Sequence, residues 1–217
     1  MSSDRRMRVI VYATLAMVAF AANSVLCRLA LRRAAIDPAS FSTIRLISGA
    51  GTLLLVTLWR RRVALPANGS FASPGLLALY AVSFSFAYTR LSTGTGALIL
   101  FGCVQVTMLG AAHGSGERAD TVQWTGLGVA LAGLACLVLP TLATPSLMPA
   151  VLMATAGVSW GVYSWRGRGT ADPLAATTSN FVRAVPLVLL VSVIALSRFH
   201  AEPGGVVIAV ASGAIAS

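Results

Sequence analysis

The chain has 217 residues, of which 57% are hydrophobic and only 10% charged, and its mean hydropathy is +0.83. This composition excludes an ordinary water-soluble domain and predicts an all-α polytopic protein that lies in a lipid bilayer. The net charge of +10 does not indicate a nucleic-acid partner, because the arginines mostly lie at the ends of predicted helices, where membrane proteins carry orientation signals.

Apolar segments in chain order predict seven complete helices and the beginning of an eighth. Residues 9–27 carry no charge and approach the roughly 20 residues that cross a hydrocarbon core. The predicted helices cover 9–27, 39–59, 75–88, 94–112, 122–139, 147–165 and 174–196, and the eighth begins near Gly204. A cleaved secretory signal is the alternative for the first segment, but its apolar run is long for a signal and further spans follow.

The distribution of arginines predicts the orientation of the chain. With the N-terminus in the cytoplasm, more arginines fall on the cytoplasmic side than on the other, which follows the positive-inside rule. The cluster of Arg28, Arg32 and Arg33 argues against this orientation. We therefore expect a multi-pass protein with a cytoplasmic N-terminus.

Two segments of the chain have the same form, which indicates an internal repeat. Arg28 and Arg166, Arg45 and Arg183, and Arg60 and Arg198 are each 138 positions apart, whereas the two Asp-Pro pairs that begin the second and seventh helices are 135 positions apart. Five helices per repeat is an odd number, so a second copy enters the membrane upside down. Inverted repeats of this kind are common in transporters that hold their substrate near the midplane.

The runs FAANSVLCRLAL, IDPASFSTIRLISGA and GERADTVQWTGLGVALAGLACLVLP resemble the EamA-like family of the drug/metabolite transporter superfamily. The resemblance implies ten helices in two inverted five-helix repeats, and a transporter of small metabolites in the bacterial inner membrane, more often an exporter. We assign the first repeat to residues 1–146 and an incomplete second repeat to residues 147–217. The alternative is a truncated membrane fragment that does not transport.

Two arginines are predicted inside membrane-spanning segments. Such a residue costs about 2.5–3.5 kcal/mol at the centre of a helix. Small polar residues surround Arg45 and Arg183 at helical spacing, so both are expected to face the bundle interior, while the acidic residues all lie in loops or at helix ends. The remaining partners are backbone carbonyls, water or an anionic group of a substrate. In the alternative interpretation, each side chain extends to the interface, which is harder for Arg183, roughly 15 Å past Pro173.

Five further polar or aromatic residues are weaker candidates for the translocation path of a small polar or anionic metabolite, and helix packing is their alternative role. They are Asn23, Gln105, Trp160, Tyr163 and Asn180. Alternating access between the inverted halves is the expected mechanism.

An intramembrane enzyme is not indicated. The two histidines, His113 and His200, lie at predicted helix ends, and the predicted spans contain no carboxylate pair or metal-ligand cluster. No cofactor or metal is therefore expected. Homo-oligomerisation stays open.

Overall fold

The computed structural model describes residues 3–32, 35–60, 70–117, 120–138 and 146–216. Within these ranges, the chain forms α-helices, one short 3-10 helix at Leu196–Arg198 and an isolated β-bridge between Ile36 and Ala201. The α-helices are α1 (Ser3–Arg32), α2 (Pro38–Trp59), α3 (Ala72–Tyr88), α4 (Thr93–Gly114), α5 (Thr121–Val138), α6 (Leu147–Arg166), α7 (Pro173–Ile194) and α8 (Pro203–Ala216). The predicted all-helical architecture is confirmed.

Five of these helices are long and apolar enough to cross a membrane: Met7–Leu31, Pro38–Trp59, Thr93–Gly114, Leu147–Arg166 and Pro173–Ile194. Three shorter apolar helical segments accompany them, Ala72–Tyr88, Trp124–Gly133 and Pro203–Ile215. Large apolar side chains cover the outer surface of the bundle, among them Tyr12, Leu55 and Val129. A surface of this kind is stable in a lipid bilayer, where exposed apolar side chains need no further cover. The protein is a polytopic membrane protein.

The two predicted Asp-Pro pairs form the N-terminal caps of α2 and α7. The Asp37 side chain accepts hydrogen bonds from the amides of Ala39 and Ser40, both at 3.0 Å, and Pro38 occupies the first turn, where no backbone donor is needed. Asp172 caps α7 through the amide of Ala175 at 3.3 Å. The charged carboxylates thus satisfy backbone amides at the start of each helix.

Close helix packing depends on small residues in α6. A Cβ atom on Gly157 would lie 2.6 Å from the carbonyl oxygen of Leu100, and one on Gly161 would lie 2.8 Å from the Cβ of Thr107. Because glycine has no side chain, α6 can approach α4 at both positions, as small residues allow in membrane proteins generally. On its other side, α6 packs against α3, while α5 packs on α4.

A hydroxyl pair joins α2 and α7 at each end of the bundle, and one end has an additional backbone pairing. At the N-terminal end, where α1 begins, Thr57 near the end of α2 shares a hydrogen bond with Thr178 near the start of α7, 2.9 Å between their oxygens. At the opposite end, Thr43 and Ser192 form the corresponding contact at 2.8 Å. The backbone at 35–37 also pairs there with the backbone at 200–202, through the bonds Asp37 N to His200 O (2.8 Å) and Glu202 N to Ala35 O (2.7 Å).

The helix bounds match one of the two spacings found between similar residues in the sequence. Helices α2 and α7 each have 22 residues, and they begin at Pro38 and Pro173. In this register of 135 residues, Arg45 corresponds to Asn180, and Arg183 corresponds to Ser48. The starts of α2 and α7 are thus 135 residues apart, like the Asp-Pro pairs that cap them, whereas the arginines are 138 residues apart.

Candidate translocation site

A polar cleft opens at the N-terminal end of the bundle. It has a volume of about 340 Å³ and lies between the start of α3, the end of α6 and the start of α7. Its lining residues are mostly polar: Ser70, Ser73, Tyr163, Ser164, Arg166, Thr170, Thr177, Ser179, Asn180 and Arg183, with Gly167, Pro173 and Ala176. Hydroxyls, an amide and two guanidinium groups give this cleft both hydrogen-bond donors and positive charge.

Arg183 lines the cleft from the middle of α7. Its side chain is half-buried, and its guanidinium carbon lies 4.1 Å from the ring centroid of Phe71, a cation–π distance. Asn180 lies one turn earlier on the same face, because residues three apart are neighbours on a helix. Across the cleft, Arg166 donates from Nε to the hydroxyl of Ser73 at 3.2 Å. Arg183 and Asn180 can therefore both reach an anionic guest in the cleft.

Arg45 lies in a closed environment instead. Only 6% of its surface is exposed, and its Nη2 donates to the hydroxyl of Tyr80 at 3.3 Å. The guanidinium carbon lies 5.4 Å from the ring centroid of Tyr80 and 5.2 Å from that of Phe84. Its Nη1 atom has no hydrogen-bond partner among the described residues. No acidic side chain that the structure describes forms an ion pair with it.

A second, closed cavity adjoins Arg45. Its volume is about 10 Å³, close to the minimum that holds one water molecule. Asn23 shares this cavity; it is 3% exposed, and its side-chain oxygen accepts a hydrogen bond from Ser212 of α8 at 2.7 Å. The other lining residues are Phe20, Leu46, Leu77, Tyr80, Trp160 and Phe181. The walls are thus mainly aromatic and aliphatic, with the polar groups of Arg45, Asn23 and Tyr80 between them.

Aromatic rings separate the cavity from the cleft. Trp160 of α6 lies between Tyr80 and Tyr163, with ring centroids 4.8 Å and 5.4 Å away, respectively. Phe20 of α1 contacts the same indole edge-on at 5.9 Å. Tyr163 lines the cleft, whereas Trp160 and Tyr80 line the cavity. The rings of Trp160 and Tyr163, whose planes are tilted by 31°, therefore form the partition.

The structure brings six of the seven predicted residues to these two adjoining spaces. Arg183, Asn180 and Tyr163 line the cleft, and Arg45, Asn23 and Trp160 line the cavity. Gln105 is the exception: it is exposed on α4 and lines a separate, mainly apolar lateral groove of about 910 Å³ between α1, α4 and α5. A polar residue in mid-helix was the only signal for Gln105, and it does not reveal which side of the helix faces the bundle.

The sequence interpretation missed Tyr80, which provides the hydrogen bond to Arg45. Tyr80, Phe84 and Tyr88 follow one another at four-residue intervals on α3, and their rings contact in sequence at 5.4 Å and 4.8 Å. That spacing was visible, but aromatic residues on one helix face most often form ordinary core. The signal becomes informative only when Arg45 is seen to lie beside these rings.

Comparison with known proteins assigns the family. The sequence model of the EamA-like transporter family matches residues 7–139, more than half of the chain. The chain belongs to this family. It is therefore a member of the drug/metabolite transporter superfamily, whose members are transporters and not enzymes.

A relative in Pseudomonas aeruginosa is similar over almost the whole chain. This uncharacterized protein, PA1977, is 44% identical over 210 residues, which cover 97% of the chain and 73% of the relative. In the described ranges of the EamA-like chain, no three histidine, cysteine, aspartate or glutamate side chains are grouped as they would be around a metal ion.

Proposed function

We propose that this EamA-like protein exports small polar or anionic metabolites across the bacterial inner membrane by alternating access between two inverted halves. The observation that carries the proposal is the polar cleft with Arg183, which lies within a bundle of membrane-spanning helices and opens at the N-terminal end of the bundle. An arginine at this depth is expensive unless it faces water, a partner or a cargo. The family assignment supports a transporter over a fragment without activity.

The contacts between α2 and α7 support the inverted repeat. Adding 135 to Thr43 and Thr57 gives Thr178 and Ser192, so exchanging the two helices converts the Thr43–Ser192 pair into the Thr57–Thr178 pair. The wider packing has the same symmetry: α3 packs on α6 as α8 packs on α1, and α3 contacts α7 as α8 contacts α2. These exchanges are what a two-fold axis in the membrane plane produces.

The difference between the two ends of the bundle supports alternating access. At the opposite end, the backbone pairing of 35–37 with 200–202 joins the loop before α2 to the loop before α8. His200 also donates its amide hydrogen to the Asp37 carboxylate at 3.3 Å. The cleft at the N-terminal end is open and reaches Arg183. A cavity of about 570 Å³ also opens at the opposite end, but neither Arg45 nor Arg183 lines it. This conformation therefore admits a cargo to Arg183 from the N-terminal end.

The direction of transport follows from the orientation predicted by the arginines. With the N-terminus in the cytoplasm, the cleft faces the cytoplasm, where metabolites for export are present at high concentration. Arg183 then meets the cargo first. A guanidinium presents several N–H donors in one plane, a geometry that matches a carboxylate.

The test compares two arginine variants in cells that express the full chain. Arg183→Gln removes one of the two guanidinium charges of the cleft, while Arg60→Gln removes an exposed charge outside the described cavities as a matched control. Loss of a charge-assisted hydrogen bond is worth about 1.5–3 kcal/mol, which corresponds to a decrease of roughly tenfold or more in cargo binding. Mass spectrometry of the medium would identify anionic metabolites whose export depends on expression of the protein, and immunoblotting would measure its abundance in the membrane.

We expect export of such a metabolite to fall with Arg183→Gln and to persist with Arg60→Gln, at equal abundance. If abundance collapses together with export, Arg183 has a structural role and the proposal loses its main support. If expression of the wild-type protein releases no metabolite, the proposal of an exporter is wrong.

A further inference from the structure

The hydrogen bonding of Arg45 is incomplete in a way that indicates a ligand. Its side chain is more than nine-tenths buried, Nη2 contacts the hydroxyl of Tyr80, and Nη1 has no partner among the described residues. Buried polar groups in proteins are nearly always hydrogen-bonded, and charged ones are usually paired. The cation–π contacts with Tyr80 and Phe84 lower the cost of burial, but they do not provide an acceptor for Nη1.

A carboxylate is the group that best completes this site. Guanidinium donors lie in one plane and match the two oxygens of a carboxylate, whereas a cation is repelled. The cavity beside Arg45 also contains the amide of Asn23, which can donate a further hydrogen bond to an anion. The aromatic walls formed by Phe20, Tyr80 and Trp160 suit the apolar part of a small organic acid.

Arg45 and Arg183 lie at similar depths in the bundle. Arg45 is seven residues from the start of α2 at the opposite end, and Arg183 is ten residues from the start of α7 at the N-terminal end. At about 1.5 Å per residue, these positions lie roughly 10 Å and 15 Å from their respective ends. The Thr43–Ser192 and Thr57–Thr178 pairs place Arg183 opposite Thr52 of α2, seven residues from Arg45, so roughly 10 Å separate the two arginines along the axis. One anion can therefore pass from one arginine to the other by a short step.

The aromatic partition closes this step in the present conformation. The cavity of about 10 Å³ accommodates one water molecule and not an organic acid. Trp160 is the ring shared by both sides of the partition, because it contacts Tyr80 in the cavity wall and Tyr163 in the cleft wall. Movement of this indole would join the two spaces.

We propose that Arg45 is a second binding subsite for the carboxylate of the cargo, closed off from the Arg183 cleft by the rings of Trp160 and Tyr163. The inference rests on the proposed transport function, since it gives the cargo a path beyond the cleft. It assigns a specific role to each arginine: Arg183 attracts the anion at the entrance, and Arg45 holds it after the indole has moved. Trp160 is the gate between them.

Chemical labelling of arginine tests the subsite directly. The full chain in proteoliposomes is treated with phenylglyoxal, which modifies accessible guanidinium groups, and the labelled peptides are quantified by mass spectrometry after chymotrypsin digestion. Benzoate is the probe anion, and benzamide is its neutral counterpart of similar shape. Trp160→Ala opens the partition, and Trp165→Ala is the matched control, because Trp165 lies on the same helix but lines the lateral groove.

We expect Arg45 to react slowly in the wild-type protein and roughly tenfold faster or more in Trp160→Ala, because the reaction of a sealed side chain follows the population of open conformations. Trp165→Ala should leave the rate unchanged. In Trp160→Ala, benzoate should protect Arg45 and benzamide should not. Arg183 should react in all three proteins.

Three results would overturn the inference: rapid labelling of Arg45 in the wild-type protein, equal protection by benzamide, or no protection by benzoate. If Trp160→Ala does not elute as a folded species from a sizing column, Trp160→Phe removes part of the indole and takes its place. The labelling does not require transport, so its failure is distinguishable from failure of the exporter proposal, in which no metabolite is released.

Discussion

Arg45 and Arg183 are the same residue type in two helices of equal length, yet their surroundings differ. Arg183 lines an open polar cleft of about 340 Å³, while Arg45 lies beside a closed cavity of about 10 Å³ between aromatic rings. The helix starts explain part of the difference, because Arg45 lies seven residues after Pro38, whereas Arg183 lies ten residues after Pro173. The two arginines are therefore not equivalent copies of one site.

The neighbouring helices explain the rest. Arg45 faces the aromatic side of α3, and α8 packs closely against the backbone of α2 at the same level. Arg183 lies near the start of α3 and the end of α6, where the helices diverge and leave the cleft. Closed packing makes a guanidinium selective, because any ligand must replace contacts that already exist, whereas an open cleft attracts anions with less discrimination.

The largest effect is expected from a substitution that fills the narrow space between α8 and the backbone of α2 at Arg45. A Cβ atom on Gly213 would collide with the hydroxyl of Ser48 and with the carbonyl oxygen of Arg45. Gly213→Ala should therefore destabilise the protein by about 1–3 kcal/mol through overpacking. The temperature at which the detergent-solubilised protein loses its monodisperse peak in size-exclusion chromatography measures this change.

Gly51→Ala is the matched control for the glycine prediction. Gly51 lies on α2 in the same region, but an added Cβ would meet nothing within 4 Å. Alanine also favours helix over glycine, by about 1 kcal/mol, so this variant should be neutral or slightly more stable. Equal losses for both variants would show that α8 does not pack against α2 as described.

A smaller effect, in the rate of labelling, should distinguish the cleft from the cavity. Arg183→Cys and Arg45→Cys are made in a background of Cys103→Ala and Cys136→Ser, because Cys136 is exposed and Cys103 is half-buried. A membrane-impermeant, charged thiol reagent applied from the N-terminal end should label position 183 roughly tenfold faster than position 45. Gel-shift analysis of timed samples measures both rates.

Two outcomes of this labelling would contradict the comparison. Equal rates would show that the aromatic partition does not close the Arg45 cavity. If neither position is labelled from either side of the membrane, in a well-folded protein, the bundle lacks the aqueous path on which the proposed function depends.

The smallest effect is expected at the hydroxyl pairs that join α2 and α7. Thr57→Val removes the contact with Thr178, and Thr43→Val removes the contact with Ser192 and a second bond to the carbonyl oxygen of Val188 at 3.1 Å. Interhelical hydrogen bonds in membranes contribute about 0.6 kcal/mol on average. A double-mutant cycle of Thr57→Val with Thr178→Val, measured by thermal unfolding in detergent, should give a coupling of about this size.

The Thr43 cycle with Ser192→Ala should give a similar coupling if the two contacts are related by the two-fold axis. A coupling at one end and none at the other would contradict the symmetric arrangement of α2 and α7. Val retains the branched shape of Thr, and Ala removes only the hydroxyl of Ser, so packing changes little in either cycle.

Much of the candidate site could be predicted because each residue carried a local signal. The burial of Arg45 among small polar neighbours followed from helical spacing, and Asn180 followed from its position one turn before Arg183. Tyr80 and Gln105 show the limit. Nothing in the local sequence states that Tyr80 meets a guanidinium from α2, or that Gln105 lies in the lateral groove. Both depend on which helices are neighbours.

The sequence by itself determined the class of protein and the approximate positions of the helices. The predicted starts are within one residue at Pro38 and Pro173, whereas α1 begins at Ser3, six residues before its predicted start. These properties depend on composition, on the length of apolar runs and on caps such as Asp37 and Asp172, all of which act within a few residues along the chain. Only the tertiary structure decided the different surroundings of Arg45 and Arg183. Those depend on the rotation of each helix and on close approach at glycines such as Gly157 and Gly213, which bring together residues far apart in sequence.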